Sequence, residues 1–483
     1  MDDTSPHARR RTALALLAGV NATAAWGGAL GLISGALSFG DDLDARLPFD
    51  SLVLAGMALG LLVAVPLTTL TVAAWVGDPR TDTLSTAVGA MLIGWIGIQM
   101  VVLHAFSWFH PIYLVVGATF VFLGGQLGPR AHGYLLVAAG SIAVAAGVGL
   151  LPQLIENSPS PAAAAAIVLT AGGIVLVVFG GRRTLHDARR AAKVLGGVGI
   201  VFGLAVVTWL IAPAVAATNV PPTQITATPP DHGLEAESVV LTTADDVELA
   251  AWYVAGETGS AVVLLHGAGS TRSDVLDQAV VLARNGYGVL MIDARGHGDS
   301  SGDAMDFGWY GDLDIAAGTE FLLTRSDVDP QRIAVVGMSM GGEEAIGATA
   351  TNPAIAAVVA EGATGRTSSD KAWLSEEYGW RGAIQEPFEK AQFWVVDYLT
   401  ESASPVSLRS AVADSRDTRF LLITAGEVPD EGFATEFIAS GAPDRVETWN
   451  VEGAGHTGGL GTEPTQWEAL VIAFLDEQLG VSP

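Results

Sequence analysis

The run Arg332-Ile-Ala-Val-Val-Gly337-Met-Ser339-Met-Gly341-Gly342 places a serine between two glycines at G-x-S-x-G spacing, directly after a short apolar stretch. A strand that turns sharply into a helix needs residues without side chains at Gly337 and Gly341, and such a turn lifts the Ser339 hydroxyl clear of the backbone. A serine presented in this way can attack an acyl carbonyl. The chain has 58 Gly among 483 residues, so the pattern carries little weight without its surroundings. Three other segments could take part. Leu265-His266-Gly267-Ala268-Gly269-Ser270 offers amides in a Gly-rich turn, Asp293-Ala-Arg295-Gly-His297-Gly-Asp299-Ser300 is dense in polar groups, and Gly453-Ala-Gly455-His456-Thr-Gly458 carries the one histidine of nine that follows Ser339.

These segments follow short apolar runs. Residues 238–242 and 247–254 read as strands around the turn Asp245-Asp246, and residues 261–265, 288–292, 333–336, 357–360 and 420–424 are nearly all apolar, with 446–451 also strand-like. Helical patterns lie between most of them. Apolar strands alternating with helices predict a mostly parallel sheet covered on both faces, with functional groups at the carboxyl ends of the strands.

Taken in order, "LLHGAGS", "DARGHGDS", "VGMSMGG" and "GAGHTGG" resemble the α/β-hydrolases, in particular the dienelactone-hydrolase and S9-peptidase-like group, over roughly residues 238–480. The resemblance implies Ser339 as nucleophile, His456 as general base, and the Ala268 and Met340 amides as an oxyanion hole. His297 then belongs to a bracing loop. The acid should follow the strand at 420–424. The usual position, three residues beyond Gly426, is Pro429 here, so Asp430 is the first choice, Glu431 and Glu427 are alternatives, and Glu361 after the preceding strand is a lesser one. The implied reaction uses an acyl-enzyme and needs no metal or cofactor.

Composition divides the chain. Mean hydropathy is +0.42 and 16% of residues are charged, too apolar for an ordinary soluble enzyme. Residues 1–216 hold 11 Lys+Arg and 10 Asp+Glu, leaving 13 basic and 41 acidic residues for the remainder. So acidic a C-terminal half repels nucleic acid and anionic headgroups, and most of that charge serves to solvate the surface. With no cysteine, disulfides, thiolate metal sites and a Cys nucleophile are excluded.

Seven apolar runs have the length of membrane-spanning helices: 13–39, 52–76, 84–103, 105–127, 133–151, 162–179 and 194–216. The third and fourth are separated only by His104, His110 and Pro111, and merging them gives six. With seven, Arg9 to Arg11, Arg80, Arg130 and the cluster Arg182, Arg183, Arg189, Arg190 and Lys193 all fall on the cytoplasmic side. Asp41, Asp42, Asp44, Asp50 and Glu156 fall opposite, with Arg46 the one base among them. The N-terminus is then cytoplasmic and everything after Ala216 lies outside the cytoplasm. Arg9 to Arg11 with Ala22-Thr-Ala24 could also form a signal peptide, but the apolar run continues to Phe39, which favours an uncleaved helix. Gly27, Gly31 and Gly35, and Gly56 and Gly60, are spaced for close helix packing.

The expected architecture is therefore an all-α transmembrane bundle of about seven helices over residues 1–216, a Pro-rich extended linker over 217–237, and an α/β-hydrolase domain over 238–483. An insertion at 362–419 sits where that fold carries a lid. Its Trp373, Tyr378, Trp380, Phe388, Phe393, Trp394 and Tyr398 could line an acyl pocket or form the lid's own core. The expected partners are a small acyl-ester or peptide substrate and the lipid bilayer, not nucleic acid. The rival from another class is a seven-helix sensor or transporter whose hydrolase-like domain binds ligand without turnover.

Overall fold

A computed structural model describes residues 6–38, 47, 51–103, 109–125 and 129–481. The chain forms two compact units, one mainly from residues before Ala214 and one mainly from Ala214 onward.

The first unit is helical: α1 (Pro6–Ser34), α2 (Leu52–Val76), α3 (Thr81–Leu103), α4 (Phe109–Gly124), α5 (Pro129–Gly149), α6 (Pro161–Thr184) and α7 (Arg190–Ala217). The third and fourth apolar runs are separate helices packed on each other, Ser85 Oγ donating to the Phe120 carbonyl at 2.7 Å. Among the described residues, six of the seven are long and apolar enough to cross a membrane, and α4 is the exception. Its 16 described residues rise about 24 Å, short of the roughly 30 Å hydrocarbon layer. His104, Asp41, Asp42, Asp44, Arg46 and Asp50 lie outside the described residues. The first helix runs unbroken through Ala22–Ala24. In α2, Pro66 lacks the amide that would bond one turn back, and the residues before it, Gly60–Ala64, form a π-helical turn.

Of the glycines whose spacing suggests packing, Gly56 and Gly60 meet α1, and Gly27 and Gly35 make no such contact. Gly27 has open space around it, and Gly35 has φ +72° beyond the end of α1. A methyl at Gly56 would stand 2.7 Å from the Ala29 carbonyl. The tightest pairing is α5 on α6. Added carbons at Gly133, Gly140 and Gly147 would lie 2.0 to 2.7 Å from Thr184 Oγ1, the Gly173 carbonyl and Thr170 Oγ1. Glycines seven residues apart on one helix let the backbones touch, and dispersion then holds the pair where no hydrophobic driving force acts.

The second unit is an eight-stranded sheet: β1 (Glu237–Thr242), β2 (Glu248–Val254), β3 (Ala261–Leu265), β4 (Gly288–Ile292), β5 (Ile333–Met338), β6 (Ile355–Glu361), β7 (Arg419–Ala425) and β8 (Val446–Val451), in the order β1-β2-β4-β3-β5-β6-β7-β8. The β1–β2 and β2–β4 pairs are antiparallel and the rest are parallel. Helices α8 (Leu276–Arg284), α9 (Gly311–Leu323), α10 (Met340–Ala348), α11 (Trp380–Leu399), α12 (Leu408–Asp414), α13 (Pro429–Ala439) and α14 (Pro464–Leu479) connect the strands. Alternate residues of one strand enter different cores. Val263 and Leu265 join one with Val335 and Ile346, while Val262 and Leu264 join the other with Val336 and Trp467. Burial on both faces explains why these strands read as unbroken apolar runs.

The segment between α7 and β1 is irregular up to Thr228, turns through a 3₁₀ helix at Pro229–His232, and lies against the second unit. Thr226 donates its amide to Ser273 Oγ at 3.2 Å, and Ile225 and Ala227 pack on the Val262 core. Thr223 Oγ1 accepts from the Gly298 amide at 3.2 Å and donates to the Ser270 carbonyl at 3.4 Å.

One buried acid works against the fold at neutral pH. Glu344 on α10 is 3% exposed, and Gly311 packs so closely that a methyl there would stand 2.3 Å from Glu344 Cγ. Burial, with Asp314 adding to it, holds its pKa well above the ordinary value. A raised folded-state pKa gives stability that is full below the unfolded pKa and is lost as pH rises through the folded one. Glu344→Gln should therefore raise the melting temperature of this domain at mildly alkaline pH, with the gap closing toward acid pH. A uniform loss at every pH in thermal melts of the full chain would contradict this.

Candidate active site

Ser339 joins β5 to α10 with φ 54° and ψ −118°, a conformation that L-residues avoid. Neighbours hold it there. The Ser339 amide donates to the Glu361 carbonyl at 2.7 Å, and the Ser339 carbonyl accepts from Gly342 at 2.9 Å. A methyl at Gly337 would stand 2.1 Å from the Gly341 carbonyl oxygen, and one at Gly341 would stand 2.6 Å from the His266 carbonyl oxygen. The two glycines are thus required by contact as well as by the turn.

His456 lies in the loop after β8. Its Nε2 is 2.8 Å from Ser339 Oγ and its Nδ1 is 2.6 Å from Glu431 Oε1. With the Glu431 carboxylate accepting from Nδ1–H, the Nε2 lone pair faces the serine hydroxyl. That hydrogen bond to Glu431 raises the His456 pKa, against a partial desolvation that lowers it.

The carboxylate beside the histidine is therefore Glu431, and the first-choice Asp430 is not in contact with it. Pro429 starts α13, so Asp430 and Glu431 are successive residues of one helical turn and point in different directions. Glu431 shares the buried face with Ala434, Thr435 and Ile438, is 1% exposed, and takes the Ala425 amide on Oε2 at 2.8 Å. Asp430 is exposed and accepts from Tyr378 Oη, and Glu427 is exposed. The i, i+3, i+4, i+7 register does not separate Asp430 from Glu431 in the sequence, since 430 with Phe433, Ala434 and Phe437 is as apolar as 431 with Ala434, Thr435 and Ile438.

Glu361, at the end of β6, does a different job from the one weighed for it. Its carboxylate accepts from the Gly459 amide at 2.7 Å and from Trp467 Nε1 at 2.9 Å. It thereby anchors the chain three residues past His456, while its carbonyl holds the Ser339 amide.

On the other side of Ser339, His266 is buried and accepts the Ala294 amide on Nε2 at 3.0 Å. Its Nδ1–H must then donate to the Gly267 carbonyl, 2.7 Å away. Burial, followed by the nearby His297, pushes its pKa down to about 3, so the ring is neutral. With the Gly267 carbonyl pinned, the Ala268 N–H of the same planar peptide points the opposite way. Gly267 packs on the serine, an added methyl lying 3.2 Å from Ser339 Cβ. Met340 is the first residue of α10, so its amide has no acceptor within the helix.

The Asp293–Ser300 loop is a brace. Asp293 is buried and accepts from the Arg272 amide and guanidinium and from the Asp299 amide, while Arg295 bonds both Asp314 and Asp245. His297 is 1% exposed, with Nδ1 3.0 Å from the Arg295 carbonyl and Nε2 3.3 Å from Asp306. Asp306 also accepts the Gly269 amide at 3.3 Å, and its own amide donates to the Ala217 carbonyl within the same unit. Neither this link nor the Thr223 contacts have a motif that sequence reading could use. No group of three or more His, Asp or Glu suited to a metal occurs among the described residues.

In the insertion, Trp373 and Phe393 are buried. Trp373 stacks with Tyr378 and with Phe433 of α13, and Phe393 packs on Phe307. Those aromatics dock the insertion onto the rest of the domain. Trp380 and Trp394 are exposed. Clefts of about 600 and 700 Å³ flank α11 on the side of α12, lined by Lys390, Ser407 and Ser410 among others and not by Ser339 or His456.

A strand-order reversal at β3/β4, a strained serine after β5, and a histidine loop after β8 give this domain the α/β-hydrolase fold. Residues 256–400 match the family described as serine aminopeptidase, S33. A 124-residue stretch, 25% of this chain, is 37% identical to an uncharacterized protein of Mycobacterium tuberculosis and covers 43% of it. Another of 113 residues, 22% of this chain, is 33% identical to the uncharacterized protein YfhR of Escherichia coli and covers 39% of it. The chain thus spans less than half the length of these curated relatives. Among solved structures, an esterase of Pyrococcus furiosus aligns over 55% of this chain and 98% of its own, at 24% identity and a TM-score of 0.43.

Proposed function

We propose that this protein is a membrane-anchored serine hydrolase that cleaves acyl esters by a Ser339–His456–Glu431 triad. The observation that carries the reading is the single imidazole hydrogen-bonded to the serine hydroxyl on one side and to a buried carboxylate on the other. Ser339 Oγ adds to the substrate carbonyl while its proton passes to His456 Nε2. Glu431 holds the ring in the Nδ1–H tautomer and stabilises the imidazolium, and the Ala268 and Met340 amides receive the oxyanion. The imidazolium then protonates the leaving alkoxide. Water, deprotonated by the same nitrogen, releases the acid and restores the hydroxyl.

Ester is favoured over the N-terminal peptide that the matched family's description suggests. An aminopeptidase needs a carboxylate to hold the substrate's α-ammonium. Three carboxylates near His456, those of Glu431, Glu343 and Glu361, are each held by protein donors, Glu343 by the Thr364 and Gly365 amides. A sensor without turnover would have no use for a strained serine paired with a tautomer-fixed histidine.

The apolar helices supply the anchor. With α4 counted as a crossing, the basic loops fall on one side and the catalytic domain lies outside the cytoplasm. A panel of short and long p-nitrophenyl esters beside aminoacyl amides tests the chemistry. Turnover of esters is expected, and turnover confined to aminoacyl amides would replace the ester reading. Protease added to intact cells should remove the C-terminal domain, and protection after the envelope is opened would reverse the orientation.

A further inference from the structure

The lid helix α11 presents an apolar stripe to solvent. Trp380 is 74% and Ile384 54% exposed, and Ala383 and Pro387 are exposed with them. These positions recur at i, i+3, i+4 and i+7, one face of a helix, while Gly382, Phe393 and Val396 are buried. A folded domain gains nothing from holding an exposed tryptophan one helical turn from an exposed isoleucine. We propose that this stripe docks on the lipid bilayer interface, so that the enzyme draws acyl esters from the membrane. The substrate part of this inference rests on the ester-hydrolase reading above.

Three observations select lipid over a second copy of the chain. Fewer than 20 residues separate the end of α7 from β1, so a domain joined to membrane-length helices stays near a bilayer. The stripe amounts to four side chains, far less than the roughly 800 Å² per partner that a stable protein interface buries. Two domains, each with 41 acidic against 13 basic residues, repel one another, whereas a zwitterionic surface carries no net charge to oppose docking. Tryptophan beside Arg381 also suits the headgroup boundary, where an indole keeps its N–H wet and its ring dry.

The absence of cysteine makes the test direct. Trp380→Cys and Ile384→Cys in the full chain, with Glu447→Cys on exposed β8 as reference, would carry a fluorophore in phosphatidylcholine vesicles. Spin-labelled lipid is expected to quench the labels at 380 and 384 at least about threefold more than at 447. Equal quenching by aqueous iodide at all three positions would overturn the proposal, and so would shielding from both quenchers, which is the signature of protein packing. A Trp380→Asp, Ile384→Asp double variant should lower hydrolysis of a vesicle-borne long-chain ester about tenfold with a soluble short-chain ester unaffected. Equal loss on both esters would count against docking. If the wild type cleaves neither ester, the hydrolase reading fails while the quenching arm still decides the docking.

Discussion

Ser339→Ala should lower kcat for an activated ester by about 10⁶-fold, the scale seen when a triad serine is removed from a serine hydrolase. The fold should survive. Alanine occupies the same volume within one atom, and the positive φ of 54° strains it as it strains serine. Ser339→Gly should abolish activity equally and raise stability, because glycine relieves that strain. His456→Ala should cost about as much as Ser339→Ala, and the double variant little more, since the two act as a unit. Independent, additive losses would mean that the hydrogen bond between them does not serve the reaction.

The second expectation separates adjacent carboxylates. Glu431→Gln should reduce kcat by about 10⁴-fold, because the amide can fix the wrong tautomer and cannot stabilise the imidazolium. Asp430→Asn should change kcat little, its contact being Tyr378 at an exposed position. The pH profile gives an independent sign. His456 acts as a base only when neutral, and Glu431 raises its pKa above the ordinary histidine value. Activity in the wild type should therefore rise with pH through a limb above that value, and in Glu431→Gln the residual activity should show the limb moved toward acid. A large loss in Asp430→Asn with a small one in Glu431→Gln would reverse the assignment.

Much of the frame was readable from residues alone. Strands such as 261–265 and 288–292 announce themselves because burial on both faces demands unbroken apolar runs, and Gly337 and Gly341 announce the elbow because nothing else fits. What escaped depended on direction and not on spacing. Asp430 and Glu431 differ by one helical step, so only the placement of the α13 axis decides which carboxylate faces His456. The reach of Glu361 to Gly459, across 98 residues of chain, is invisible to any local pattern. Gly133, Gly140 and Gly147 likewise find their partners only once α5 and α6 are antiparallel.

Mass mapping of the protein after treatment with a serine-directed fluorophosphonate tests the triad most directly. A single adduct is expected on the peptide that contains Ser339, absent from Ser339→Ala and formed much more slowly in Glu431→Gln. No adduct on the folded wild type, or an adduct of equal yield in Ser339→Ala, would contradict the triad.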